Sequence, residues 1–157
     1  TGNKTNSMDS EEEGKIASDN AMGKDKSVNS DLVPFIIRLN TEVACVGCYA
    51  ENAHYKGFRA VEGKVNSGKL DFSLLNNKNT EGFVKLVADA RSGAVIGGQI
   101  VSPSASHLIS LVLLAIKKGI KIGALASLTC DSTDETQGIR EAARICNRAL
   151  KQQGKTP

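Results

Sequence analysis

Residues 82–102 read GFVKLVADARSGAVIGGQIVS, and SASHLISLVLLAIKKGI follows almost at once. No other stretch limits the fold as much. The first piece is two β-rich runs around Arg91, Ser92 and Gly93, the pattern of a hairpin. Strand alternation sends Val84, Leu86 and Ala88 to one face and Phe83, Lys85 and Val87 to the other. Both faces are largely apolar, so the sheet is expected to be covered on both sides. The second piece is a helix that begins after Pro103 and is apolar all round over residues 111–116. Such a helix must be covered on every side. One side can lie on the sheet, but a small domain offers few partners for the other, which points to a subunit interface. Leu108, Leu111, Val112 and Ala115 can face the sheet while Ile109, Leu113 and Ile116 point partly elsewhere. The interface is expected at Leu108, Ile109, Leu113 and Ile116.

The remaining elements are shorter. VPFIIRL reads as a strand opened by Pro34, and VACVG as a second short strand. AENAHYKG fits a short helix stopped by Gly57, and FRAVEGKV a strand. Residues 66–80 suit irregular structure. KIGALASL is a short helix, and a last helix is expected from near Ser132 to about Gln152. Its buried stripe is Ile139, Ala142, Ala143, Cys146 and Leu150, and its wet face Arg140, Glu141, Arg144 and Arg148. The domain is therefore expected over residues 31–152, with a short tail at 153–157. Residues 1–30 are Ser, Asn, Gly, Lys and acidic residues, with Met8, Ile16 and Met22 isolated among them. That segment cannot bury enough apolar surface to offset its ordering entropy, so it is expected to be disordered, with residues 11–13 a solvated acidic patch.

Charge and length exclude several classes. The net charge of +3 over 157 residues does not argue for nucleic acid. No apolar run approaches the roughly 18 residues of a membrane helix. No secretory signal is visible, and with Thr1 as first residue a lost targeting segment stays open. Cys45, Cys48, Cys130 and Cys146 do not form a secreted disulfide framework. They suggest a reducing compartment, the cytoplasm or an organelle interior.

Three patterns invite a site. Cys45-Val-Gly-Cys48 has zinc or redox spacing. A structural zinc needs four ligands, usually two such pairs, and there is no second. These residues are the weak metal candidates of the chain; buried or half-buried thiols are expected instead. Gly97 and Gly98 lie inside a strand rather than at a strand-to-helix turn, so they serve close backbone packing and not phosphate. Lys117, Lys118 and Lys121 crowd a helix C-terminus, where the dipole favours them. Ser132, Thr133, Asp134 and Glu135 read as a capping box ahead of the last helix.

The order of elements, with EGFVKLVADARSGAVIGGQIVSP, HLISLVLLAIKKGIKIGALA and VPFIIRLNTEVACVG, resembles the C-terminal dimerisation domain of the pyridine nucleotide-disulfide oxidoreductases. Val46 and Gly47 match a Val-Gly of that family, and GIREAARICN is most similar to mercuric reductases. The resemblance covers residues 33–147. It implies an α+β fold, an antiparallel sheet with helices packed on it, that pairs with a second copy or with a related flavoprotein subunit. It also implies that FAD belongs to the parent family's upstream domains, so no cofactor is expected in this chain. The family's catalytic His and Glu fall here on Ser132 and Gln137, and its flavin-facing Phe-Thr on Arg38 and Leu39. A hydroxyl cannot replace imidazole as a thiol's acid-base, and Gln137 cannot orient a base with charge. The expected function is a non-catalytic dimerisation or interaction domain. The alternative is the C-terminal part of an FAD- and NAD(P)H-dependent, mercuric reductase-like enzyme. Neither reading calls for nucleic acid or membrane.

Overall fold

The computed structural model describes residues 7–27, 29–70, 82–131 and 133–153. Five antiparallel strands form one sheet: β1 (Phe35–Ile37), β2 (Glu42–Gly47), β3 (Ala60–Asn66), β4 (Phe83–Asp89) and β5 (Val95–Ser102), in the order β1-β2-β5-β4-β3. The expected hairpin is the centre of this sheet, with Phe83 opposite Val101 and Leu86 opposite Gly98. Its turn is held by Asp89, whose carboxylate accepts from the amides of Arg59 (3.2 Å) and Ser92 (3.1 Å) and from the Ser92 hydroxyl (2.7 Å).

Two helices lie on one face. α2 (Ala105–Lys117) crosses β2 and β5, and α4 (Thr136–Gln153) crosses β3 and β4; α3 (Ile122–Ala126) packs beside α4. The core between them and the sheet includes Val84, Leu86, Ile100, Ile109, Val112, Ile139 and Cys146. Glycines set how closely the helices approach. A Cβ on Gly63 of β3 would lie 2.2 Å from the Ala142 carbonyl oxygen and 2.4 Å from the Cys146 nitrogen, so α4 rests on bare backbone there. Gly98 acts in the same way beneath the Val112 side chain of α2, while Gly97 lets the Cys48 backbone close on the opposite face.

The opposite face is less covered than the apolar alternation predicts. The loop after β2, with the expected short helix present as a 3-10 turn at Ala53–Lys56 stopped by Gly57, covers Val87 and Ile96 at one end. Further along that face the half-buried Lys85 pairs with Glu62 at 3.1 Å and Glu51 at 3.8 Å. The strand VPFIIRL shortens to Phe35–Ile37, with Phe35 and Ile37 exposed. An edge strand backed by only one neighbour has no second layer to bury those side chains.

The amino-terminal segment also differs from expectation. Ser7–Ala21 form a helix, α1. No residue of 10–27 is buried, so apolar burial does not explain it. Local contacts do. Asp19 pairs with Lys24 (2.8 Å) and Lys26 (2.6 Å), and the Asn20 side chain bonds both the amide and the carbonyl of Lys26. Glu11, Glu12, Glu13, Lys15 and Ala17 are strong helix formers. Ile16, with Glu11 and Glu12, lines a groove of about 370 Å³ whose other wall includes Leu113 and Lys117 of α2. Among the described residues no helix is long and apolar enough to cross a membrane.

Candidate functional site

The feature that asks for a partner is the outward side of α2. Its buried positions are Ala105, Leu108, Ile109, Val112 and Ala115, at helical spacing. Leu111 and Leu114 point away from the sheet and are 40% and 51% exposed. Here the phasing drawn from the sequence is corrected. Ile109 (0% exposed) and Leu108 (6%) belong to the chain's own core, while Leu111 faces outward. Leu113 and Ile116 are partly buried at the flanks of the exposed stripe. The apolar run 111–116 has no phase of its own; the exposed polar residues His107, Ser110 and Lys117 mark the outward face, and Val112 packs on Gly98 on the inward one. The helix start is held by Glu42, whose Oε2 accepts from the Ser106 amide at 2.8 Å while Oε1 accepts from Arg38 at 3.2 Å. Hydrogen bonds from Ser106 hold the Glu42 carboxyl below the usual carboxylate range against the opposing effect of burial. Its pairing with Arg38 and the nearby His107 adds to this. The sequence reading gave Glu42 no role. Glu42 opens β2 opposite Ser102, the end of β5, which puts its carboxylate beside the N-terminus of α2.

The loop before α4 holds the positions that the resemblance makes catalytic. Ser132 lies outside the described residues, so the capping box cannot be read from it. α4 begins at Thr136, four residues later than expected, behind two aspartates. Asp131 accepts from the Thr133 amide (2.9 Å) and hydroxyl (3.0 Å), and Asp134 from the Thr136 amide (2.9 Å). Gln137 is buried in the first turn of the helix, beside Gly138, whose missing Cβ makes room for Val84. Among the described residues Glu135 Oε2 is buried with no hydrogen-bond partner.

The thiols are separated by environment. Strand alternation alone would put Cys48 on the opposite face from Cys45. Gly47, in the left-handed region at φ +77°, breaks the alternation, and Cys48 packs with Val87 and Ile96. Burial raises the Cys48 pKa. Cys146 bonds the Val61 carbonyl at 3.3 Å, and burial pushes its pKa up to about 11. Such thiols are neutral and poor nucleophiles. Cys45 is half-buried and accepts from the Tyr49 hydroxyl at 3.1 Å; that bond, with burial, pushes the Tyr49 phenol up to about 12. All four cysteines are free, and among the described residues no cluster of three or more His, Cys, Asp or Glu could hold a metal.

Residues 33–131 match the family described as pyridine nucleotide-disulphide oxidoreductase, dimerisation domain. The chain belongs to this family. Among its relatives, mercuric reductase from Acidithiobacillus ferrooxidans is 32% identical over 88% of this chain and 25% of its own length. Dihydrolipoyl dehydrogenase from Haloferax volcanii is 33% identical over 83% of this chain and 27% of its own. The chain thus spans about a quarter of the relatives it matches. The solved structure of LpdA from Mycobacterium tuberculosis is similar with a TM-score of 0.71 at 27% identity, covering 85% of this chain and 29% of that one. A flavoprotein disulfide reductase, RclA from Escherichia coli, shares the fold with a TM-score of 0.75 at 16% identity, over 92% of this chain and 33% of that one. The α+β dimerisation-domain fold is therefore the fold of this chain. As a dimerisation domain it carries an α2 whose outward leucines suit a subunit contact. At the positions where the family resemblance puts the flavin's neighbours, Arg38 pairs with Glu42 and Leu39 is exposed.

Proposed function

We propose that this chain is a non-catalytic dimerisation module that pairs with a second copy of itself through the outward side of α2. The observation that carries the reading is the stripe of Leu111 and Leu114, flanked by Leu113 and Ile116, on a domain of the dimerisation type. Two exposed leucines per copy, each contributing roughly 1.5–3 kcal/mol when buried, against the cost of association give a weak, concentration-dependent dimer. Ser132 and Gln137 stand where the family's acid-base pair would be, which supports a scaffold role. Light scattering over a dilution series tests this. The mass is expected to rise from 16.6 kDa toward twice that value as concentration increases. A constant monomer mass up to high micromolar concentration contradicts the reading.

A second reading is favoured by coverage: the chain spans only about a quarter of its relatives. In that reading it is the C-terminal part of a longer FAD- and NAD(P)H-dependent reductase, and α2 joins two such subunits. The gene sequence ahead of Thr1 separates the two. A dinucleotide-binding GxGxxG and a CxxxxC there support the enzyme. Under either reading the purified chain alone is expected to be colourless, and flavin absorbance would contradict that.

A further inference from the structure

α4 turns an unusual surface outward. Arg140, Arg144 and Arg148 recur every four residues, so they share one stripe of the helix at about 6 Å per step. Each guanidinium is tethered through Nε: Arg140 to Glu141 (3.1 Å), Arg144 to the Ala126 carbonyl (3.2 Å) and Arg148 to the Arg144 carbonyl (3.4 Å). Arg144 Nη1 also meets Glu141 at 2.7 Å. The Nη ends of Arg140 and Arg148 have no partner among the described residues. Glu141 is therefore shared by two arginines, and among the described residues Arg148 meets no carboxylate, which leaves a net charge of +2 on these four side chains. Arg140 is only 17% exposed in its side chain, so part of this charge sits where water compensates it poorly. The stripe borders two grooves. One, of about 370 Å³, has walls from Val65, Leu70 and Ile145; the other, of about 510 Å³, opens toward α3. Glu141 lines both grooves too, but the arginines outnumber it in each, so the local potential is positive.

We propose that this stripe is an oxyanion-binding site for a phosphate-bearing small molecule. A phosphate group carries about −1.5 to −2 charge near neutral pH, which matches the uncompensated charge, and it accepts paired N–H donors from guanidinium forks. Tethering through Nε orients the forks before the ligand arrives. The site is separate from α2, so binding does not depend on the dimer.

The test is NMR of the arginine Nε–H signals of the full chain, titrated with sodium pyrophosphate at constant ionic strength, with sodium chloride as reference. Saturable shifts at Arg140, Arg144 and Arg148 are expected. Affinity should fall at least about tenfold in Arg148→Gln, as expected for losing a charge-assisted hydrogen bond. Arg148 is exposed, so that variant keeps the fold, which the amide spectrum checks directly. Shifts no larger than those from chloride, unchanged affinity in Arg148→Gln, or saturation centred on Lys117 and Lys121 instead would each overturn the proposal.

Discussion

α2 and α4 lie side by side on the same face of the same sheet, and both bury one stripe against it. They differ on the side that faces away. α2 shows Leu111 and Leu114; α4 shows Arg140, Arg144 and Arg148 around a single glutamate. Equal inner faces with opposite outer ones mean that the fold itself is satisfied by half of each helix. What remains is a demand on the surroundings: apolar cover for α2, negative charge or water for α4. The inner halves explain stability, and the outer halves are where the proposed contacts lie.

The largest effect should come from the inner half of α4. Gly63→Val places a side chain where the backbone of α4 already lies 2.2 Å from the ideal Cβ position. Because the obstacle is main chain, relaxation is expensive, and a loss of about 3 kcal/mol or more is expected. Chemical denaturation measures it; a loss under about 1 kcal/mol would mean that α4 is not seated on β3. Next comes the inner half of α2. Ile109→Ala empties a fully buried position and should cost about 2–5 kcal/mol, whereas Leu114→Ala should change the stability of the monomer by no more than about 0.5 kcal/mol. Equal costs would show that the helix is rotated from the placement described here.

Smaller again is a pH effect at two carboxylates, Asp89 in the central hairpin turn and Glu42 at the start of α2. Burial works against the charge of Asp89, but bonds from Ser92 and from the amides of Arg59 and Arg91 outweigh it, so its carboxyl titrates below the ordinary range. Glu42 is lowered chiefly by Ser106. In each the folded form holds its proton less tightly than the unfolded chain. The contribution is therefore present above the unfolded pKa, near 4, and is lost as pH falls through the lower folded value. Melting temperatures of the chain and of Asp89→Asn should converge on acidification from about pH 5 to pH 3. Parallel curves would remove Asp89 from the account.

The inner halves were the legible part of the sequence. The alternation of Val84, Leu86 and Ala88 and the stripe of Ile139, Ala142, Ala143 and Cys146 rest on burial, and burial has a period that can be read. α2 was legible as a helix, but its rotation was read from the apolar run 111–116, which carries no phase; His107, Ser110 and Lys117 of the same helix do mark the exposed face, and Ile109 and Leu111 exchange roles accordingly. α1 was missed because its support is the Asp19, Lys24 and Lys26 cluster and the Asn20 bonds, local contacts that leave no apolar pattern. Of the candidate site, Ser132 and Gln137 were placed at the family's acid-base positions by the resemblance alone, and the burial of Gln137 was not legible there. The Glu42 cap on α2 was not legible either, since it joins residues 64 positions apart.

The account rests on α2 being an interface, and sedimentation equilibrium of the chain beside Leu114→Asp tests that most directly. The unmodified chain should show a reversible monomer–dimer equilibrium. Leu114→Asp, at a position 51% exposed and outside the core, should keep its melting temperature and sediment as monomer at every concentration. If the variant dimerises as the parent does, or if the parent is monomeric throughout, the outward leucines of α2 are not where this domain meets its partner.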